Sequence, residues 1–349
     1  MTLIYFLLIL GIMIFVHELG HFVFAKKCGM YVHEFALGMG PKIFSFTRKN
    51  DETIYSLRLL PIGGFCAIAG EDNDMAKDKK VDKEKLFNNK SFKDKFLVLI
   101  AGAMFNFICA LIILFVINLI YGARTGESYV SEKLKNYPAY ESNLEKGDII
   151  HKVNGKSVNS LEDIYLYMEI ANKTTDTIFS IENKNGDLKE VKIKPKYDEK
   201  TEKYMYGIAF NQVVEKGFLS SIKYTFVNFK NLILNMGKTL INLVNSNLEI
   251  ENMSGPIGVY KHVETIETDD IITNIANMAM LTALLSINVG FINLLPIPAL
   301  DGGRLVFLIF EKILGKKINS RLENVMNFVF FILLMALMVV VTYNDILKL

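Results

Sequence analysis

Three residues able to bind a metal or move a proton, His17, Glu18 and His21, fall inside the apolar run from Leu3 to Ala25 that opens the chain. They form the pattern H-E-x-x-H, the signature of zinc-dependent hydrolases. On a helix, positions i and i+4 share a face, so His17 and His21 can each aim an imidazole at one cation. Glu18 is displaced around the same helix, where it can take a proton from a water that zinc acidifies toward a pKa of about 7. The run is long enough to cross a bilayer, which takes roughly 20 apolar residues. An ionisable side chain at that depth costs about 2.5 kcal/mol or more. Three together need a compensating interaction, and a shared cation supplies one.

A metal there needs a third protein ligand, and the stretch from Asn288 to Gly303 offers Asp301. Pro296 and Pro298 lack amide donors and break the helix, while Gly302 and Gly303 permit a tight turn. Unwound backbone at membrane depth is tolerated only when buried in protein or lining a wet cavity. A carboxylate from Asp301 would give two histidines and one acid, with a position left open for water. The competing reading of the same residues is an ordinary interfacial Asp-Gly-Gly turn.

The elements that must position these groups follow from composition and charge. The chain has 349 residues, is 51% hydrophobic and carries a net charge of +2. That is the profile of an integral membrane protein with a soluble part, without the basic excess of a nucleic-acid binder. Cys28, Cys66 and Cys109 cannot build a disulfide framework. Transmembrane segments are expected at 1–25, 96–121, 275–303 and 325–349, the third interrupted by Pro296 and Pro298. No Lys or Arg precedes the first run, which argues against a cleavable signal. Lys26, Lys27, Lys90, Lys93 and Lys95 flank the connection 26–95; Arg304, Lys312, Lys316, Lys317 and Arg321 fill 304–324. The positive-inside rule makes both connections cytoplasmic and both termini extracytoplasmic. His17 then lies ~22 Å along its helix, within the membrane and nearer the cytoplasmic side.

Between the first two spans, 31–46 and 53–68 are β-prone runs punctuated by Gly38, Gly40, Pro41, Gly63 and Gly64. The apolar stretch Leu59–Phe65 reads as a hairpin dipping toward the membrane, its open edge near Gly63 and Gly64 able to hold an unwound substrate by strand addition. A plain cytoplasmic sheet is the alternative. Residues 71–95 are densely charged and read as a solvated linker. Residues 122–215 form a separate strand-rich domain, with turns at Lys146-Gly147-Asp148 and Asn154-Gly155. In 216–274, Phe218, Ile222, Phe226, Phe229, Ile233, Met236, Leu240 and Leu243 recur every three or four residues, with Lys223, Lys230 and Lys238 on the other side. Such a helix either lies on the outer membrane face or packs under the neighbouring domain. The fold class is thus a polytopic α-helical membrane protein, with four transmembrane helices, a cytoplasmic-side β-hairpin or sheet, and one inserted extracytoplasmic β-rich α+β domain.

Three stretches, Val16–Pro41, Ser254-Gly255-Pro256-Ile257-Gly258 and Asn293–Gly303, resemble the RseP-type site-2 proteases, and the likeness covers nearly the whole chain. The resemblance implies Zn2+ held by His17, His21 and Asp301, with Glu18 as catalytic base. It implies that Asn288, Asn293 and the stretch with Pro296 and Pro298 position substrate, and that the inserted domain is a single PDZ domain with a peptide ligand or a filtering role. The implied substrates are single-pass membrane proteins (anti-sigma factors, signal-peptide remnants or peptide precursors) cut by regulated intramembrane proteolysis in a bacterial plasma membrane. A Lys-, Asn- and Ile-rich chain points to a Gram-positive source. The chain departs from the pattern at Ala103, where relatives carry proline within Ala101-Gly102-Ala103-Met104-Phe105-Asn106; Asn106 can hydrogen-bond across helices. A membrane zinc transporter and a catalytically inactive PDZ scaffold are the alternatives from other classes, the first leaving Glu18 idle.

Overall fold

The computed structural model describes residues 1–49, 51–71, 81–199, 203–245, 254–316 and 318–348. Residues 72–80 of the expected linker and Lys317 lie outside the described residues. Along the chain come α1 (Thr2–Lys27), β1 (Val32–Thr47), β2 (Ile54–Ile68) and α2 (Phe92–Tyr121). Next are β3 (Ala123–Lys133), the short α3 (Pro138–Glu141), β4 (Ile149–Val153), β5 (Lys156–Ser157), α4 (Leu161–Glu169), β6 (Thr177–Glu182) and β7 (Leu188–Ile193). Then follow β8 (Lys196–Asp198), β9 (Lys203–Met205), β10 (Ile208–Glu215) and α5 (Phe218–Val244). The last four helices are α6 (Pro256–Ile266), α7 (Ile271–Asn293), α8 (Asp301–Leu314) and α9 (Ser320–Leu347). Among the described residues α1, α2, α7 and α9 are long and apolar enough to cross a membrane. Helices suit that environment because every backbone N–H and C=O is bonded within the segment.

The chain divides into two compact units, Met1–Ile113 with Met253–Leu349, and Leu114–Asn252, the division falling inside α2. In the first unit, Ile9 and Met13 of α1 pack with Val263 of α6 and Met278 and Leu281 of α7. A second cluster joins Ala25, Val32, Ile68, Phe87, Val98, Leu99 and Leu308. Its members bear on two expectations. Phe87 is 8% exposed and bonds through its N–H to the Ala69 carbonyl at 2.8 Å, so the described part of the charged linker is anchored at this residue, while Asp82, Lys83, Glu84, Lys85, Asn88 and Asn89 are exposed. Most of 304–324, expected as a loop, is the amphipathic helix α8, with Leu305 and Leu308 turned into this cluster. Gly315, in the left-handed region at φ 64°, ends it. The helix α7 stops at Asn293, ten residues before the end of the expected third span.

β1 and β2 form a two-stranded antiparallel sheet with repeated register shifts. Glu34–Leu37 of β1 has partners on both sides, Ile54–Leu57 and Gly64–Ala67, so Gly64–Ala67 is an outer segment paired only to β1 among the described residues. Gly38, Gly40 and Gly63 adopt positive φ where the strands bend. Beyond the bends Met39, Ile43, Phe44, Leu59 and Leu60 are exposed, more apolar surface than a soluble hairpin tip carries. At the other end of the unit, the buried Asp345 carboxylate of α9 accepts the N–H of Gly255 at 2.9 Å and of Gly258 at 2.8 Å, capping α6.

The second unit is built on a sheet in the order β10-β3-β4-β6-β7, with β5 paired to β4 and a separate β8-β9 ribbon. Alternation puts Phe179, Ile181, Val191 and Ile193 inward, and a register shift in β4 turns both Ile150 and Val153 the same way, where they meet Leu144 and, from α4, Ile164. Helix α4 starts at Ser160, whose hydroxyl accepts the Asp163 N–H. Of the two readings left open for α5, packing is what its polar face does. Asn231 donates to the Asn159 carbonyl at 3.0 Å, Asn235 to the Ser160 hydroxyl at 2.9 Å, and Lys238 to the buried Asp163 carboxylate. Phe218, Leu219, Phe226, Leu234, Ile241 and Val244 of the same helix stay exposed.

Candidate active site

One turn of α1 separates His17 from His21, whose rings lie 4.9 Å apart, centre to centre, at 77° to each other. Their Nε2 atoms are 3.3 Å apart, and Oδ2 of Asp301 is 3.2 Å from each. Tetrahedral bonds of about 2.0–2.1 Å set neighbouring ligand atoms about 3.3 Å apart, so this triangle already has the spacing of a zinc site with one position open. Among the described residues Asp301 Oδ2 is buried and has no hydrogen-bond donor, as expected of an oxygen committed to a cation. The ring of His21 is fixed from behind: its Nδ1 lies 2.9 Å from the Val98 carbonyl, which can only accept, so the proton sits on Nδ1 and the Nε2 lone pair faces the triangle. The donor set therefore fits a divalent zinc-like ion.

Asp301 reaches the triangle because the chain doubles back after α7. Leu295 bonds to the Ile292 carbonyl at 3.0 Å, Ile297 to Leu295 at 2.7 Å, and Leu300 to Ile297 at 3.2 Å. Pro296 and Pro298 supply no N–H to continue a helix. Ala299 is held in the left-handed region at φ 74°, and its N–H donates to Asn327 of α9 at 3.0 Å. The return is so tight that a Cβ on Gly302 would lie 2.6 Å from the Leu294 carbonyl carbon, and one on Gly303 2.8 Å from Cα of Pro298. Only glycine fits either position. One turn further on, Arg304 pairs with Glu71 at 2.5 Å, a contact across 233 residues that no local pattern signals.

The helix α2 closes the other side. At Gly20 an added Cβ would lie 2.7 Å from the Ala101 carbonyl carbon, so α1 and α2 cross backbone to backbone. At Gly102 it would lie 2.7 Å from Cε1 and 2.9 Å from Nε2 of His17, filling the space beside the imidazoles. Val98, Gly102 and Asn106 follow one another at i+4, and the Asn106 amide is 3.4 Å from His17 Nδ1. The sequence reading singled out Asn106 without a partner and missed Val98 and Gly102, whose contributions are a carbonyl and a missing side chain. The spacing of four in an apolar helix was the available signal.

Glu18 lies beside the triangle under β2: a Cβ on Gly64 would be 3.2 Å from Glu18 Cγ and 2.9 Å from Ile14 Cγ2. The Cys66 backbone N–H faces its carboxylate. The outer segment of the sheet thus runs directly over the acid. Gly63, at φ 81°, stands instead beside the Met39 side chain. Asn288 and Asn293 are half-buried on α7, Pro298 is buried and Pro296 exposed. Among the described residues no hydrogen bond joins Asn288 or Asn293 to the triangle.

Residues 5–337 match the model of peptidase family M50. The chain is 32% identical over 425 aligned positions to the regulator of sigma-W protease RasP of Bacillus subtilis strain 168, covering 100% of this chain and 99% of that protein. It is 32% identical over 428 positions to the zinc metalloprotease RasP of Bacillus licheniformis, with 100% and 99% covered. A putative zinc metalloprotease of Clostridium acetobutylicum is 34% identical over 340 residues, 97% of this chain and 96% of the relative. A donor triangle with zinc spacing, four helices able to cross a bilayer and a match running almost from end to end point the same way, and the chain belongs to peptidase family M50, the zinc metalloproteases of the site-2 type.

Proposed function

We propose that His17, His21 and Asp301 hold the zinc, that Glu18 is the catalytic base, and that the substrates are single-pass membrane proteins cut within the bilayer. The observation that carries the reading is the triangle of Nε2, Nε2 and Oδ2 atoms, 3.2–3.3 Å on a side, with Glu18 on the next residue of the same helix. Zinc, when bound, supplies Lewis-acid chemistry, acidifying water and polarising the scissile carbonyl. Glu18 takes the proton of the attacking water and returns it to the leaving amine nitrogen. A substrate helix must unwind before one of its amides can reach the site. The unpaired edge of Gly64–Ala67, lying against Glu18, supplies backbone partners for the unwound strand. The exposed apolar residues at the sheet's bends support a tip that dips into lipid. In this reading Asn288, Asn293 and the Pro296–Pro298 stretch sit along the path of the substrate.

The inserted unit reads as one PDZ domain, supported by its five-strand sheet order with the capped helix α4, and it binds an extended peptide at a sheet edge. Basic residues in 26–95 and 304–324 support a cytoplasmic side for both connections, with both termini extracytoplasmic in a bacterial plasma membrane. The similarity to a regulator of sigma-W protease makes an anti-sigma factor the first substrate class to test. Co-expression of single-pass reporters with the wild type and with Glu18→Gln tests the assignment. The variant is expected to retain stoichiometric zinc by mass spectrometry and to lose cleavage altogether. Cleavage that persists, or zinc that is lost, removes Glu18 from the proposed role.

A further inference from the structure

We infer that Asn106 is a positioning residue for His17, its side-chain oxygen accepting the Nδ1 proton and so fixing the tautomer that leaves Nε2 free for the cation. The inference rests on the reading of His17, His21 and Asp301 as the ligands.

A neutral imidazole carries one N–H and one lone pair. If both Nε2 atoms give lone pairs to a cation, both rings must be protonated at Nδ1, and each buried N–H then needs an acceptor. For His21 that acceptor is the Val98 carbonyl at 2.9 Å. For His17 the group opposite Nδ1 is the Asn106 amide at 3.4 Å, on a side chain that is 0% exposed. With Nδ2 turned toward Nδ1, the ring would have to accept there, which moves its proton to Nε2. That N–H would point at the triangle, 3.3 Å from Nε2 of His21 and 3.2 Å from Asp301 Oδ2. In the same orientation Asn106 Oδ1 is buried and has no hydrogen-bond partner among the described residues. The two ends of a carboxamide exchange by a half-turn about its last bond, and the surrounding hydrogen bonds decide between them. The half-turn gives the orphaned oxygen the N–H it lacks and gives His17 the tautomer the triangle requires.

The placement is systematic. Val98, Gly102 and Asn106 lie four residues apart on α2, so one stripe of that helix faces the site. Val98 sets the tautomer of one histidine, Gly102 makes room for both rings, and Asn106 sets the tautomer of the other.

Zinc affinity of the purified full-length chain, measured by competition with a chromophoric chelator, tests this alongside thermal melting of the metal-free form. Asn106→Leu keeps the volume and loses the acceptor. It is expected to bind zinc 10–100-fold more weakly. Its metal-free melting midpoint should change little, because without the cation His17 can carry its proton on Nε2, 3.2 Å from Asp301 Oδ2, and leave no buried donor unpaired. Asn106→Asp restores an oxygen opposite Nδ1 and should bring the affinity back to within a few fold of wild type. A residue that merely packs would lower the midpoint and leave the competition curve where it was. Wild-type affinity in the leucine variant, or an aspartate variant as weak as the leucine one, overturns the inference. Should the leucine variant fail to fold, the aspartate variant alone decides it against wild type. A wild-type chain without zinc affinity sinks the ligand assignment and this inference with it; equal affinities with and without the acceptor sink this inference alone.

Discussion

The site has so little spare volume that one methyl group on α2 should empty it. In Gly102→Ala the new Cβ would stand 2.7 Å from Cε1 and 2.9 Å from Nε2 of His17, and closer still to Nε2 of His21. Ordinary contact for such atoms begins near 3.4 Å. The imidazoles must therefore retreat by roughly 0.5–1 Å, more than the ~0.2 Å by which metal–ligand distances vary. The rings have no easy retreat, since the Val98 carbonyl holds His21 from behind and Gly20 presses α1 against the Ala101 backbone. Overpacking of this kind costs about 1–3 kcal/mol, a factor of roughly 5–150 in zinc affinity if the strain falls on the loaded site. Gly11→Ala is the matched control. It also lies in a transmembrane helix, nothing stands within 4 Å of its added Cβ, and replacing a helical glycine should stabilise by about 0.5–1 kcal/mol. Chelator competition and reporter cleavage should then separate the two variants, the first losing zinc and activity together, the second keeping both. A Gly102→Ala protein that binds zinc within twofold of wild type refutes the argument that this space belongs to the imidazoles.

Two further outcomes follow from contacts away from the triangle. Asp345→Ala leaves the N–H groups of Gly255, just before α6, and of Gly258 in its first turn without an acceptor, so a loss of about 2 kcal/mol and a lower melting midpoint are expected; Asp345→Asn, which keeps one oxygen, should lose less, and an alanine variant melting like wild type would contradict the cap. The Lys26 ammonium hydrogen-bonded to Asp51, against a smaller opposing effect of burial, and the Tyr55 hydroxyl hold the Asp51 carboxyl well below the usual carboxylate range. With the folded pKa depressed, this contribution is complete above the unfolded value of about 4 and is lost as pH falls below it. Protease sensitivity of the β1–β2 connection should therefore rise below about pH 4 in the wild type and show no such step in Asp51→Asn.

What could be read from the sequence sorts by the kind of interaction involved. His17 and His21 were visible because helix geometry alone brings i and i+4 together, with no knowledge of the rest of the fold. Asp301 was visible for an energetic reason: a carboxylate beside two prolines and two glycines at membrane depth needs a partner. The helix α8 was read as a loop because its basic residues were counted as orientation signals. Two of those residues, Arg304 and Lys312, belong to a helix whose Leu305 and Leu308 face a core drawn from α1, β1, β2 and α2. Composition shows the charged linker as exposed, which most of its described residues are, but it averages away Phe87, the residue that anchors it.

The residues that complete the site were the hardest to see, and for a common physical reason. Val98 acts through its carbonyl, Gly102 through the atoms it lacks, and Gly64 through the closeness with which it lets β2 approach Glu18. None of these leaves a side-chain signature, and all depend on where a second element passes. Two ends of the chain, α1 and the start of α8, supply the donor atoms, yet what each imidazole can donate is decided by α2 between them. A substitution on this helix can then weaken the metal site while sparing all three ligands. The sharpest comparison is Asn106→Leu against His17→Ala, residues 3.4 Å apart on different helices: the first should weaken zinc binding by about 10–100-fold, and the second, which deletes a ligand, by more.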